Sequence, residues 1–275
     1  MRRVRMKRRE FIHKTAFASA LMAAGSHFAV ATEDQLPLQG KKSLFVWGGW
    51  SGHDPDKTRD IFVPWMRQMG AEVTVADSLA IYTDATLMNS LDFIVQIWTM
   101  GKISGEQERA LLTAVKEHGI GLAGWHGGLC DSFRDNTEYQ FMTGGQWVAH
   151  PGGVIDYDVN VVDHDDPVTA GLADFHMKSE QYYMHVDPNV KVLATTTFNG
   201  EHAAWIDGSV MPVAWKKYYG KGRVFYSSLG HVAPDFDVPE ALTIMERGIL
   251  WAAESKYAPF EQWLQPVYAN HGKRF

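Results

Sequence analysis

The chain is poor in cysteine. Cys130 is the single one among 275 residues, so no internal disulfide can form and no cysteine-built zinc site can be assembled. Long apolar runs are also missing. The stretch Thr15 to Val30 is short, alanine-rich and broken by Ser26 and His27, which argues against an uncleaved membrane span. Internal repeats, low-complexity tracts and interior linkers are absent, so the chain reads as one domain. No H-x-H or H-E-x-x-H spacing occurs either, so any metal would need ligands converging from separate loops.

Basic charge is scarce once the N-terminus is set aside. Arg8-Arg9-Glu10-Phe11-Ile12-His13-Lys14 resembles a twin-arginine export signal, and Ala29-Val30-Ala31 offers a cleavage site, which implies a periplasmic mature protein. Residues 1–31 hold seven of the 26 basic and one of the 32 acidic residues, leaving 19 against 31 and a formal charge of −12. That sign argues against nucleic acid and anionic membrane surfaces as partners and suits a neutral small molecule or a cation. The mature form is expected not to be membrane-embedded, and self-association into a homo-oligomer stays open.

What is present is a globular composition: 45% hydrophobic residues, ten tryptophans and twelve histidines. A polar linker is expected over 32–42, one domain over 43–256, and a tail over 257–275 that wraps the surface. Ser43 to Trp47 reads as a first strand running into Gly48-Gly49-Trp50-Ser51-Gly52-His53. Asp54 is expected to cap the next helix with Pro55 in its first turn, and Ile61, Trp65 and Met69 mark its apolar stripe up to Gly70. Strands follow at Glu72 to Val75 and Asp92 to Trp98. Ser104 with Gln107 forms a capping box for a helix whose Leu111, Ala114, Val115 and His118 face inward. Further on, a helix is expected near 136–143 and an antiparallel-type strand from Val154 to Val162. Short strands are expected at Val190–Thr196, His202–Trp205 and Pro212–Lys216, a clear one at Arg223–Leu229, and a last helix from Pro239 to Ala253. This order predicts a doubly wound, mostly parallel sheet in an αβα sandwich.

The chain is organised around Ile120-Gly121-Leu122-Ala123-Gly124-Trp125-His126-Gly127-Gly128. The uncharged first half fits a strand buried on both faces. Glycines around His126 permit a sharp strand-to-helix turn that lifts the histidine out at the carboxyl edge of the sheet, where ligands bind in such folds. His53 falls on the same edge.

These motifs, with Gly145-Gln146-Trp147, His150-Pro151, Asp163-His164-Asp165-Asp166-Pro167, Glu180-Gln181-Tyr182, Pro212-Val213-Ala214-Trp215 and Tyr219 to His231, resemble in order the ThuA-like (trehalose utilisation) family. The resemblance implies a flavodoxin-like fold similar to the class I glutamine amidotransferases. Those enzymes carry Cys at the elbow; here it carries His126, and Cys130 lies four residues beyond, so glutamine hydrolysis is not expected and a buried structural thiol is. His231 would occupy the late-strand position.

The candidate constellation is His53, His126, His150, Glu180 and His231. Trp50, Trp125, Trp147 and Tyr182 would form a sugar platform, with Gly127 and Gly128 at the substrate, unless these aromatics are core residues. Two roles are open to the histidines. His53, His126, His150 and His231, with or without Glu180, could hold zinc or manganese, or the imidazoles could act as acid and base. His150 and His164 are the weakest of these, and His118, His176 and His202 read as structural or surface residues.

The resemblance implies saccharide catabolism in which a sugar dehydrogenase forms a 3-keto glycoside. A carbonyl acidifies the neighbouring C–H, so elimination or hydrolysis of the keto-glycoside becomes accessible. His126 or His53 would be the base, His231 an acid or ligand, and Glu180 a ligand or hydroxyl acceptor. A non-catalytic periplasmic sugar-binding module and an amidotransferase-like partner subunit are the alternatives. Asp163, Asp165 and Asp166 look like a solvated turn more than a glycosidase pair.

Overall fold

The computed structural model describes residues 35–261; the expected leader and the tail beyond Glu261 lie outside the described residues. Lys42–Gly49 (β1), Glu72–Ala76 (β2), Phe93–Thr99 (β3), Gly121–Trp125 (β4) and Gly222–Ser227 (β11) are parallel neighbours in the order β2-β1-β3-β4-β11. Continuous burial along β3, β4 and β11 matches runs that are uncharged apart from Arg223, as strands covered on both faces require. The sheet then continues antiparallel through Val210–Tyr219 (β10), Lys191–Thr197 (β9), Val154–Val161 (β6) and Phe175–Glu180 (β7). A separate hairpin-like pair joins Gly145–Ala149 (β5) and Tyr183–Val186 (β8).

Two apolar cores lie on the two faces of the sheet. Helices Pro55–Gln68 (α1) and Pro239–Ala253 (α6) pack into the first through residues such as Phe62, Met66, Ile244 and Ile249. Ala85–Ser90 (α2), Gly105–Lys116 (α3), Gly127–Cys130 (α4) and Thr137–Thr143 (α5) build the second through Met88, Leu111, Leu129 and Met142. The αβα sandwich is therefore present, with a mixed sheet at its centre. Among the described residues no helix is long and apolar enough to cross a membrane.

Several local expectations change. In α1 the buried face is Thr58, Phe62 and Met66; Ile61, Trp65 and Met69 sit partly buried on its flank, about 100° round the helix. Asp54 occupies the cap position but in a left-handed conformation, and its carboxylate takes Lys57 instead of the helix amides. The Ser104–Gln107 capping box forms in full at α3, whereas His118 is exposed beyond its end. Residues His202–Trp205 are not a strand: Ala204–Ile206 is a 3-10 turn that buries Ile206 and leaves Trp205 outside. The supposed linker joins the fold where it is described, since Leu38 is buried and its amide donates to Met69 O.

The Asp163–Asp166 segment is also not simply solvated. Asp163 accepts the Asp165 and Asp166 amides in a turn, but Asp166 is buried and ion-paired to Lys216 and Lys191. Lys216 is itself fully buried, so this pair survives only because each charge answers the other.

Candidate metal centre

His126 follows β4 directly, with φ 48° and ψ −142°. A non-glycine residue held there stores about 1–3 kcal/mol of backbone strain. The backbone pins it: His126 N donates to Ser227 O at 2.7 Å, and Tyr226 Oη donates to His126 O at 3.2 Å. Gly127 and Gly128 follow because side chains would not fit. A Cβ at Gly127 would lie 2.6 Å from the His53 ring, and one at Gly128 2.8 Å from the backbone of Ile97. Both glycines are buried, packed against His53 and Ile97.

The loop after β1 brings His53 beside this elbow, the ring centroids 4.7 Å apart, and the loop after β11 brings His231 to 5.3 Å. Glu180 arrives from the other half of the molecule. β7 stands five places from β4 in the sheet order, a span of roughly 24 Å across a flat sheet. Yet Glu180 Oε2 lies 3.1 Å from His126 Nε2. The antiparallel half therefore curls back over the carboxyl edge of the parallel half. Asp235 supports that closure, its carboxylate accepting from Ser179 Oγ on β7 and from the His231 amide.

One donor atom from each of His53, His126, Glu180 and His231 lies within 4.8 Å of the others, so the four could hold a metal ion. The surrounding hydrogen bonds suit that role. His126 Nδ1 is 2.7 Å from Ser228 O, a carbonyl that can only accept, so Nδ1 carries the proton and Nε2 turns its lone pair inward. His53 Nδ1 is 2.9 Å from Thr99 Oγ1, which leaves Nε2 as its inward donor. His231 Nδ1 is buried without a hydrogen-bond partner, 3.3 Å from Glu180 Oε2 but poorly aligned with it. Without a cation, a buried carboxylate faces inward lone pairs unless one imidazole is protonated.

The electrostatics agree. Burial, reinforced by the His126 and His231 imidazoles, lowers the His53 pKa to about 3. Burial and His126 also lower that of His231. For Glu180, burial works to raise the pKa, but in the cation-free site a proton on His126 Nε2 donates to the carboxylate, and this bond with the charge of the His126, His231 and His150 imidazoles outweighs burial and brings it to about 2. At neutral pH the site presents unprotonated His53 and His231 and an ionised carboxylate, the protonation states a metal requires.

The remaining candidates separate. His150 does not join the four donors; its Nε2 lies 3.6 Å from Glu180 Oε1, the oxygen other than the one facing His126, which corrects its place among the metal ligands. Trp125 is 2% exposed and packs against Phe62 and Phe236, so it is a core residue and not a sugar platform. Tyr182 is also buried and lies against the His126 ring, centroids 3.9 Å apart, so it holds that imidazole in place. Trp50 is 46% exposed and meets His53 edge-on at the rim. Trp147 stands between the Arg134 guanidinium and His150, and Asp131 clamps that guanidinium with bonds of 2.6 and 2.7 Å. Burial pushes the Cys130 thiol well up, so the expected inert thiol is present. His118, His164, His176 and His202 are exposed.

The sequence reading missed Thr99, the Ser228 carbonyl, Asp131, Arg134 and Asp235. Thr99 was the most accessible of these, because it ends β3 at the same carboxyl edge as His53 and His126. A cavity of about 10 Å³ lined by His53, Thr58, Thr99 and His126 lies behind the donors. A larger hollow of about 430 Å³ between α1 and the β1–β2 edge contains no histidine and is unrelated to the centre.

A ThuA-like protein of Bacteroides uniformis ATCC 8492 matches the structure with a TM-score of 0.67 at 15% identity, covering 82% of this chain and 95% of that one. A cytoplasmic protein of Salmonella typhimurium LT2 matches with a TM-score of 0.53 at 16% identity, covering 78% and 98%. A glutamine amidotransferase of Thermotoga maritima matches more loosely, with a TM-score of 0.41 at 10% identity over 78% and 95%. No curated protein matches the sequence. The family profile described as trehalose utilisation covers residues 42–252, and the chain belongs to this ThuA family.

Proposed function

We propose that the protein is a metal-dependent enzyme of carbohydrate catabolism that opens 3-keto glycosides by elimination, with hydration of the product completing a net hydrolysis. The observation that carries this reading is the convergence of His53, His126, Glu180 and His231 at the carboxyl edge of the sheet. Three imidazoles and one carboxylate suit zinc or manganese. A bound divalent ion supplies positive charge to the oxygen that becomes anionic when the proton next to a ketone is removed.

The chain's own residues divide the remaining work. His126 is 1% exposed, with Nδ1 held by Ser228 O and Nε2 facing inward beside Glu180, so it is a ligand and not the base. A pKa of about 3 makes His53 a weak proton acceptor and likewise a ligand. That leaves His150, beside the set and partly open to solvent, to take the C2 proton. Its Nε2 faces Glu180, while Nδ1 has no hydrogen-bond partner. The C2–H electrons form a C1=C2 bond, the C1–O bond breaks, and the departing oxygen takes a proton. In this reading a sugar dehydrogenase supplies the ketone, and the twin-arginine-type leader places the reaction in the periplasm.

The test is NMR of a 3-keto-glucoside and its parent glucoside with metal-stripped and reloaded protein. We expect one metal per chain, loss of the keto compound alone, and activity that disappears with chelator and returns with metal. His126→Ala should lower both metal affinity and turnover by about 100-fold or more, as loss of a ligand and its support implies. Full turnover by that variant would overturn the metal-dependent reading. Saturable binding with neither sugar consumed would show a binding module instead.

A further inference from the structure

Buried polar side-chain atoms are nearly always hydrogen-bonded, and exceptions point to a ligand, a water or stored strain. Among the described residues the unpartnered buried side-chain atoms are Trp147 Nε1, His150 Nδ1 and His231 Nδ1. All three residues belong to the same neighbourhood: His150 and His231 each approach Glu180, and the Trp147 ring lies 5.6 Å from His150 and 6.2 Å from Tyr182. A metal accounts for His231. It does not account for Trp147, because an indole N–H is a donor only and cannot ligate.

The orientation of this indole is informative. Trp147 is only partly buried, so a rotation could expose its N–H to water, yet that atom is turned inward. The ring is held so by the Arg134 guanidinium, 4.6 Å from its centroid, which Asp131 fixes from behind; Gln146 bonds both Asp131 and the Trp147 carbonyl. A clamped, buried donor on a ring this close to His150 and Tyr182 needs an acceptor, and the described residues offer none.

We propose that Trp147 Nε1 donates a hydrogen bond to a substrate oxygen, a hydroxyl or carbonyl of the sugar, held beside Glu180 and His150. This rests on the carbohydrate reading above and changes the expected role of Trp147 from a stacking platform to a specificity-determining donor. Arg134 and Asp131 are positioning residues for it.

The test uses the metal-loaded full-length mature chain with ¹⁵N-labelled indoles. Trp147→Phe assigns the Trp147 signal; should that variant not fold, the contact with the Tyr182 ring assigns it in the wild type. Adding 3-keto-glucoside, or the parent glucoside, should move the Trp147 indole signal downfield. Trp147→Phe should weaken sugar binding by about tenfold, the worth of one lost hydrogen bond, while metal affinity stays unchanged. Signals from other residues moving without Trp147, with equal affinity in Trp147→Phe, would overturn this proposal and leave the enzyme reading standing. A Trp147 N–H that keeps a cross-peak to a long-lived water at saturating sugar would likewise overturn it. If no signal moves with either sugar, both readings fall.

Discussion

At the scale of single residues, the centre is controlled less by its four donors than by the groups behind them. His126 and His53 each use Nδ1 on a protein oxygen, Ser228 O and Thr99 Oγ1, so each is oriented with Nε2 inward. The Ser228 contact comes from backbone and cannot be removed by substitution, but the Thr99 contact can. Thr99→Val keeps the shape of the side chain and deletes the hydroxyl. It should weaken metal binding by about 10–100-fold, with Thr99→Ser restoring it, as expected for a ligand-orienting hydrogen bond. Competition with a chelator measures this directly, and unchanged affinity would mean that packing against Gly127 alone orients His53. The histidines at the elbow and strand ends were readable in the sequence because glycine spacing marks sharp turns. Thr99 carries no such mark, and only its place at the carboxyl end of β3 hinted at it.

Elements matter where a polar residue interrupts an otherwise apolar strand. β3 is buried throughout its first five residues and includes Gln96, whose amide joins three hydroxyl groups under the elbow. Tyr82 Oη donates to Gln96 Oε1 at 2.7 Å, while Gln96 Nε2 reaches Tyr139 Oη at 2.6 Å and Ser132 Oγ at 3.1 Å. Tyr139 and Ser132 in turn donate to Leu129 O and Gly128 O, so the network anchors α4 to β3. Gln96→Leu should therefore destabilise the protein by about 1–3 kcal/mol, chiefly because Tyr82 loses its acceptor. Adding Tyr82→Phe should recover part of that loss, because removing both partners avoids a stranded buried hydroxyl. Urea unfolding of the single and double variants would check it; additive losses would mean that the Tyr82–Gln96 bond contributes little.

For the molecule as a whole, the centre ties stability to acidity. The folded-state pKa of His53 is depressed from 6.5 to about 3, that of His231 is also lowered, and that of Glu180 falls from 4.5 to about 2. In each case the unfolded chain takes up the proton first on acidification, so stability is lost as pH falls. The histidine contribution should fade from about pH 6.5 downward and the Glu180 contribution below about pH 4.5, the two windows set by these shifts. Asp166 adds to the lower window: burial raises its carboxyl, but the Lys216 charge and the bonds from Lys191 and Lys216 outweigh that and hold it low. Melting temperatures of metal-free protein between pH 7 and 4 should decline. A His53→Asn, His231→Asn variant should show a flatter decline above pH 5, and an identical profile would contradict the assignment.

The sequence by itself determined the parallel half of the fold, the αβα arrangement, the His126 elbow, the α3 capping box and the family. Each is encoded locally, in continuous apolar runs, glycine spacing or a cap four residues long, and local patterns survive without knowledge of distant contacts. Only the tertiary structure decided that Glu180 reaches His126, that Trp125 is core while Trp147 is clamped beside His150, and that Asp166 is buried against Lys216. These outcomes depend on how the antiparallel strands curl over the parallel edge. That curvature is a property of the whole sheet, so no short stretch of sequence specifies it.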